Sequence, residues 1–440
     1  MRRHEISDVH PGRQGLGVGL AIGVTIPGIL LRVLHPELEP ALEALLFGIA
    51  IIGAAFVLSW AAEVAQLDIS AGLAIAVLAF IAVLPEYAVD FVLAFNGGQD
   101  FAEFGRECKP PGDPGESACS LALANMTGAN RLLIGIGWSL VVFIAYYRSR
   151  GRSRRMTRVQ LVRSHAVEVT FLAIATIYSL TLPMKASITP VDAAILVSIF
   201  VAYTIRVSRA PAEEPHLVGP ARLIGTFRTP QRRLSVVLMF ISAATVILLV
   251  AEVFAEALVE TGREFGISEF LLIQWLAPLA SEAPELLVAG LYAWRLNTNA
   301  GLGTLVSSKV NQWTLLVGTL PIVFGIAAGG LHGLPIDAQQ REELLLTAAQ
   351  SFFALAVLLT LSITTREAIL LFTLFWAQFI IGALVPESLQ LAERVGVSAV
   401  YILLGLVIFV RDRHLIVPLL RDGLVTPYKH LNAAAEMPGE

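Results

Sequence analysis

The sequence predicts an all-α, polytopic membrane protein with about twelve transmembrane helices. Three observations carry that reading. Only 15% of the 440 residues are charged while 56% are hydrophobic, whereas soluble domains carry about 25% charge. The apolar residues fall in runs of about 20, the length of a helix that crosses a bilayer. The arginines, finally, collect in alternate loops, as they do on the cytoplasmic side of membrane proteins. The net charge of −4 points to no partner, and nothing in the pattern supports nucleic-acid binding. The lipid bilayer is the partner that composition implies.

From the N-terminus, a basic stretch (residues 1–13) enters a first span at 14–34 without a small-residue cleavage site. Spans follow at 44–66, 71–95, 119–145, 164–182 and 190–206. Residues 208–233 hold Pro211, Pro215, Pro220 and Pro230 among Arg209, Arg222, Arg228, Arg232 and Arg233, and read as a cytoplasmic linker between two halves. The second half places spans at 234–259, 267–294, 301–329, 342–362, 366–385 and 395–411, before a tail of 412–440. With twelve crossings, the seven arginines between Arg148 and Arg163, the linker and both ends of the chain fall on one side. The positive-inside rule makes that side the cytoplasm, which suits a plasma-membrane protein with both termini inside. Loops on the other side, such as HPELEPALE, are acidic or polar. Cys108 and Cys119 share one of them, where a disulfide can persist; the spacing fits either a bond or two free thiols.

The halves echo each other. Asp68–Ala94 runs from a short turn into an apolar stretch holding Pro85-Glu86, and Gly266–Gly290 does the same at Pro284-Glu285. Ser70 precedes Glu86 by 16 residues, and Ser268 precedes Glu285 by 17. Each stretch leads to a second apolar helix with polar groups near its middle, LALANMTGANRLLIGIGW and LGTLVSSKVNQWTLLVG. By the loop charges, the Glu86 helix runs outward and the Glu285 helix runs inward, so the repeats are inverted. Inverted repeats with interrupted helices are common in secondary transporters, with ion sites near the midplane. Proline frees backbone carbonyls from the helix ladder, and carbonyls beside a carboxylate are hard oxygen ligands for a cation.

These motifs resemble those of the calcium/cation antiporter superfamily, which contains the sodium/calcium exchangers. Leu84-Pro85-Glu86 and Ala283-Pro284-Glu285 look like its two helix breaks. Ala124–Asn130 and Gly303–Lys309 look like its two second-helix motifs, with Lys309 lying 24 residues after Glu285. The resemblance covers about 44–207 and 234–385 and implies an inverted five-plus-five repeat core with an extra helix at each end, 14–34 and 395–411. It implies a secondary antiporter that exchanges Ca²⁺ or a related cation for Na⁺ or H⁺ by alternating access, with no cofactor. It assigns the ion site to Glu86 and Glu285 with Asn130 as metal ligands, supported by Asn125, Ser281 and Ser308, while Glu282 and Lys309, foreign to the family pattern, are read as tuning the charge of that site. The departures are specific. Ala82-Val83 replaces a hydroxyl pair, Glu282 replaces a serine, and Lys309 stands where the family has an amide or an acid.

Glu282 and Lys309 could form a pair, since a lone charge at the bilayer centre costs on the order of 3 kcal/mol on insertion scales. Lys309 would then be an internal cation standing in for a transported one, which makes sodium/proton exchange the alternative to calcium exchange. Arg131 reads as a structural partner to a membrane acid, with Asp90 one candidate. Glu63, Glu168, Glu252 and Glu256 read as interfacial or paired acids, and His165 as interfacial. An intramembrane enzyme lacks support, because adjacent Ser308 and Lys309 do not face each other on a helix. A channel would need a continuous polar pore, whereas the polar residues gather in the two repeats.

Overall fold

The computed structural model describes residues 11–36, 38–68, 84–113, 115–150, 155–210, 217 and 219–433. Helices run through the expected stretches among the described residues, the third from Leu84 onward. Ala82 and Val83 lie outside the described residues. Among the described residues, ten helices are long and apolar enough to cross a membrane. The chain divides into two compact units, Met1–Leu93 with Val207–Pro284 and Ala94–Arg206 with Glu285–Glu440.

In the first unit, Pro40–Ala65 starts at a proline, whose missing N–H costs nothing in the first turn. It lies along Thr229–Phe265, a 37-residue helix. At 1.5 Å per residue that helix is about 55 Å long, well beyond a bilayer core of about 30 Å. Gly266, left-handed with φ 63°, closes it by returning its N–H to the Gly262 carbonyl. Arg32 and Glu252 approach to 4.0 Å, so this acid is paired as expected. Asp68, just past the end of the first helix, joins it to the basic start of the longer one, taking Nε and Nη2 of Arg232 at 2.8 Å each and Arg233 at 3.3 Å.

One expectation needs correction. Residues Glu269–Trp294 form a continuous helix through positions 278 and 284, so Pro284-Glu285 does not interrupt it. A proline removes one donor and the rest of the ladder carries the helix past it.

In the second unit, two short antiparallel ladders test the inversion directly. Arg158–Gln160 pairs with Ser362–Thr364, and Ser187–Ile188 pairs with Leu334–Pro335. The first strand follows the third helix of its half, yet its partner follows the fourth helix of the other half. Loops after equivalent helices would share an end in a parallel repeat; here they lie at opposite ends. Val162 N donating to Asn299 Oδ1 at 2.8 Å places the start of Thr298–Ala327 at the same end as the Arg148–Arg163 loop. The other end holds Cys108 and Cys119, which form a disulfide with Cα atoms 5.9 Å apart.

Arg232, by its hydrogen bonds, holds the Asp68 carboxyl below its ordinary pKa of 3.8. The stabilisation from this pair is therefore complete above that value and is lost as pH falls through the depressed one. Asp68→Asn should lower the thermal midpoint in detergent at neutral pH, and the difference from the parent should vanish in acid. A pH-independent offset would remove the ion pair as the cause.

Candidate functional site

The second helix of each repeat shares a feature that its sequence does not announce. Ala118–Arg148 is α-helical to Leu132, widens into a π-helical turn at Leu133–Trp138, and resumes at Ser139. Thr298–Ala327 does the same at Gln312–Leu316. Both wide turns begin three residues after the last motif position, Asn130 in one and Lys309 in the other. Such turns sit at functional sites because they shift the hydrogen-bond register and release backbone carbonyls. The α-helical partner of the Asn130 carbonyl is the N–H four residues on, which falls inside the first wide turn.

The Asn130 carbonyl is put to use. Lys309 Nζ, fully buried, donates to both the backbone oxygen and Oδ1 of Asn130, each at 2.6 Å. Asn130 Nδ2 donates back to the Met126 carbonyl at 2.9 Å, which turns the amide oxygen toward the lysine. The ammonium also lies 5.4 Å from the Trp313 ring centroid, a cation–π distance. Trp313 Nε1 in turn donates to Ser351 Oγ at 2.7 Å. The equivalent last positions of the two inverted motifs therefore meet, and the cation between them belongs to the protein. Charge-assisted bonds of this length are the strong class.

Arg131, the next residue, anchors a second network. Its Nη2 lies 2.8 Å from Glu343, and Nη1 donates to Gln378 Oε1 at 3.3 Å. Glu343 also takes Arg394 Nε at 2.9 Å, and Arg394 reaches Glu342 at 2.9 Å. Gln350 donates to the Arg131 carbonyl at 3.4 Å. Glu343 is an acid beside Arg131; sequence reasoning named Asp90 as one candidate. Glu343 and Arg394 were missed because the apolar runs begin next to them. The signal was present: Gln340, Glu343, Thr347 and Gln350 recur at helical spacing in Ala338–Val357 and are all buried.

The other expected site residues divide between the units. Glu86, Asp90, Ser281 and Glu282 are buried in the first. Ser281 Oγ donates to the Ala277 and Pro278 carbonyls at 3.2 Å each. Asn125 and Ser308 are buried in the second, and Glu285 there is half-buried. His165 is more than interfacial: a β-carbon on Gly303, at the head of the second motif, would meet its ring at 2.4 Å. A larger residue there would have to displace that ring. Among the described residues no three His, Cys, Asp or Glu side chains gather to hold a metal.

A polytopic α-helical protein with inverted repeats, and with polar motifs converging at wide turns in their second helices, defines a secondary transporter. The chain belongs to the sodium/calcium exchanger protein family, whose model matches residues 41–209 and 235–385. It is a cation antiporter. It is 41% identical to the H⁺/Ca²⁺ exchanger CAX, covering 96% of this chain and 99% of that one with a TM-score of 0.84. The fold is shared with native YfkE at 13% identity, covering 89% of this chain and 99% of that one with a TM-score of 0.57. Among curated proteins compared by sequence, none matches the chain.

Breaking a buried ion pair by removing one partner costs about 3–5 kcal/mol. Glu343→Gln removes the carboxylate that Arg131 and Arg394 share, so it should lower the thermal midpoint more than Arg394→Gln does. Equal, small shifts in detergent melts would show that the network carries little stability.

Proposed function

We propose that the chain exchanges Ca²⁺ for H⁺ across the membrane. The observation that carries this reading is the 41% identity to an H⁺/Ca²⁺ exchanger over 99% of that protein. Glu86 and Glu285, the acids of the two Pro-Glu pairs, take the transported ions. A carboxylate that holds either a proton or Ca²⁺, never both, couples the two by competition. Calcium favours six to eight oxygens, and Asn125, Ser281 and Ser308 supply neutral ones. Lys309 occupies both Asn130 oxygens, so that amide serves the tethered ammonium and not a second transported ion. Glu282 offsets the added positive charge. The protein needs no cofactor, and it sits in the plasma membrane with its arginine-rich ends in the cytoplasm.

A second reading rests on the Lys309–Asn130 bond itself. A fixed cation near the site raises the cost of a divalent ion more than that of a monovalent one, which favours Na⁺ exchanged for H⁺, with Lys309 replacing a coupling ion.

Proteoliposomes with an acid interior separate the readings. Ca²⁺ accumulation coupled to proton efflux is expected, falling to background in Glu86→Gln and Glu285→Gln. Na⁺ accumulation without Ca²⁺ would select the second reading, and transport that survives both substitutions would overturn both. Lys309→Ala should change the pH dependence of exchange; an unchanged profile would take Lys309 out of the mechanism.

A further inference from the structure

After the last long helix, Glu387–Arg411, the chain folds back onto the basic end of the second unit. Ile416–Leu424 packs its buried residues Leu419, Asp422 and Gly423 against Ala166–Ser179. The approach is close: a β-carbon on Gly423 would lie 2.1 Å from Thr170 Oγ1, and Thr170 donates to the Leu419 carbonyl at 3.2 Å. Arg163 grips Asp422 with Nε at 2.5 Å and Nη2 at 3.0 Å. Arg206 donates to the carbonyls of Gly423 at 3.0 Å, Asp422 at 3.3 Å, and Thr426. Its guanidinium also sits 4.7 Å from the centre of the Tyr428 ring.

These bonds build a cavity of about 480 Å³ whose walls include Arg163 with its partner Asp422, Arg421, Thr426, His430, Val417 and Val425. Its charge is lopsided. Between residues 411 and 433 the acids are Asp412 and Asp422, and Arg411 and Arg163 engage them. Arg421 and His430 line the cavity with no further acid from this segment. Val417 and Val425, 72% and 73% exposed, stand beside these donors. Guanidinium donors suit phosphate oxygens, and a short helix with apolar residues outward and basic ones alongside suits a membrane interface.

We propose that this cavity binds a phosphate group, that of an anionic membrane phospholipid whose acyl chains lie along Val417 and Val425. The arginine-rich end of the helices faces the leaflet that carries anionic lipid. The lipid clamps the C-terminal segment onto Ala166–Ser179, the helix that begins beside His165 and so beside Gly303.

The test is thermal unfolding of the full-length protein in nonionic detergent, with added phosphatidylglycerol, phosphatidylcholine or inorganic phosphate. Phosphatidylglycerol should raise the midpoint at a lower concentration than phosphatidylcholine. Arg421→Gln should raise the phosphatidylglycerol requirement about fivefold, the effect of one basic residue near an anionic surface, and adding His430→Gln should raise it further. Arg366→Gln removes the same charge from an exposed position at the same end, and should leave the requirement unchanged. The proposal is overturned if Arg366→Gln matches Arg421→Gln, if phosphatidylcholine protects equally, or if inorganic phosphate alone reproduces the shift.

Discussion

An ammonium group that cannot reach water must be met by oxygen, and the second unit is organised round that requirement. Lys309 finds both of its Asn130 bonds at 2.6 Å only because two separate things hold. The inverted repeats bring equivalent motif positions together, and a wide turn just beyond Asn130 loosens the helix register where its carbonyl is taken. The same wide turn beyond Lys309 sets Gln312–Leu316 on a different pitch, with Trp313 under the ammonium. Lysine fills this space with a charge fixed to the protein.

The neighbouring network obeys the same rule with opposite bookkeeping of charge. Arg131 is as deeply buried as Lys309, but it is met by a carboxylate, Glu343, that it shares with Arg394. Arg394 belongs to Glu387–Arg411, beyond the stretch matched by the family model. The helix outside the repeats is therefore not peripheral. It adds a second arginine to the carboxylate that meets Arg131, a residue adjacent to the Lys309 contact, so the core of this unit extends past the repeats that define the family.

Much of this was legible beforehand, for physical reasons. Span positions followed from long apolar runs, as at Pro40–Ala65 and Thr229–Phe265. The inverted pairing followed from Glu86 and Glu285 in matched surroundings. Three features escaped. Helix continuity through Pro284 depends on the ladder around it, which a proline rule applied locally overrides too readily. Glu343 and Arg394 sit at the margins of apolar runs, where a charge reads as solvated until the fold buries it. The wide turns are a packing outcome in stretches such as LIGIGW and QWTLL that read as ordinary apolar helix.

The two small ladders carry a mechanical implication. Each stitches a loop of one repeat to a loop of the other, one at the arginine-rich end and one at the opposite end. A bundle fastened at both ends resists shear between its members, as a book bound along two edges cannot be fanned. The ladders therefore tie the six strand-linked helices around Lys309 to one another at both ends, while the wide turns are places where the backbone inside that group is already off the regular pitch.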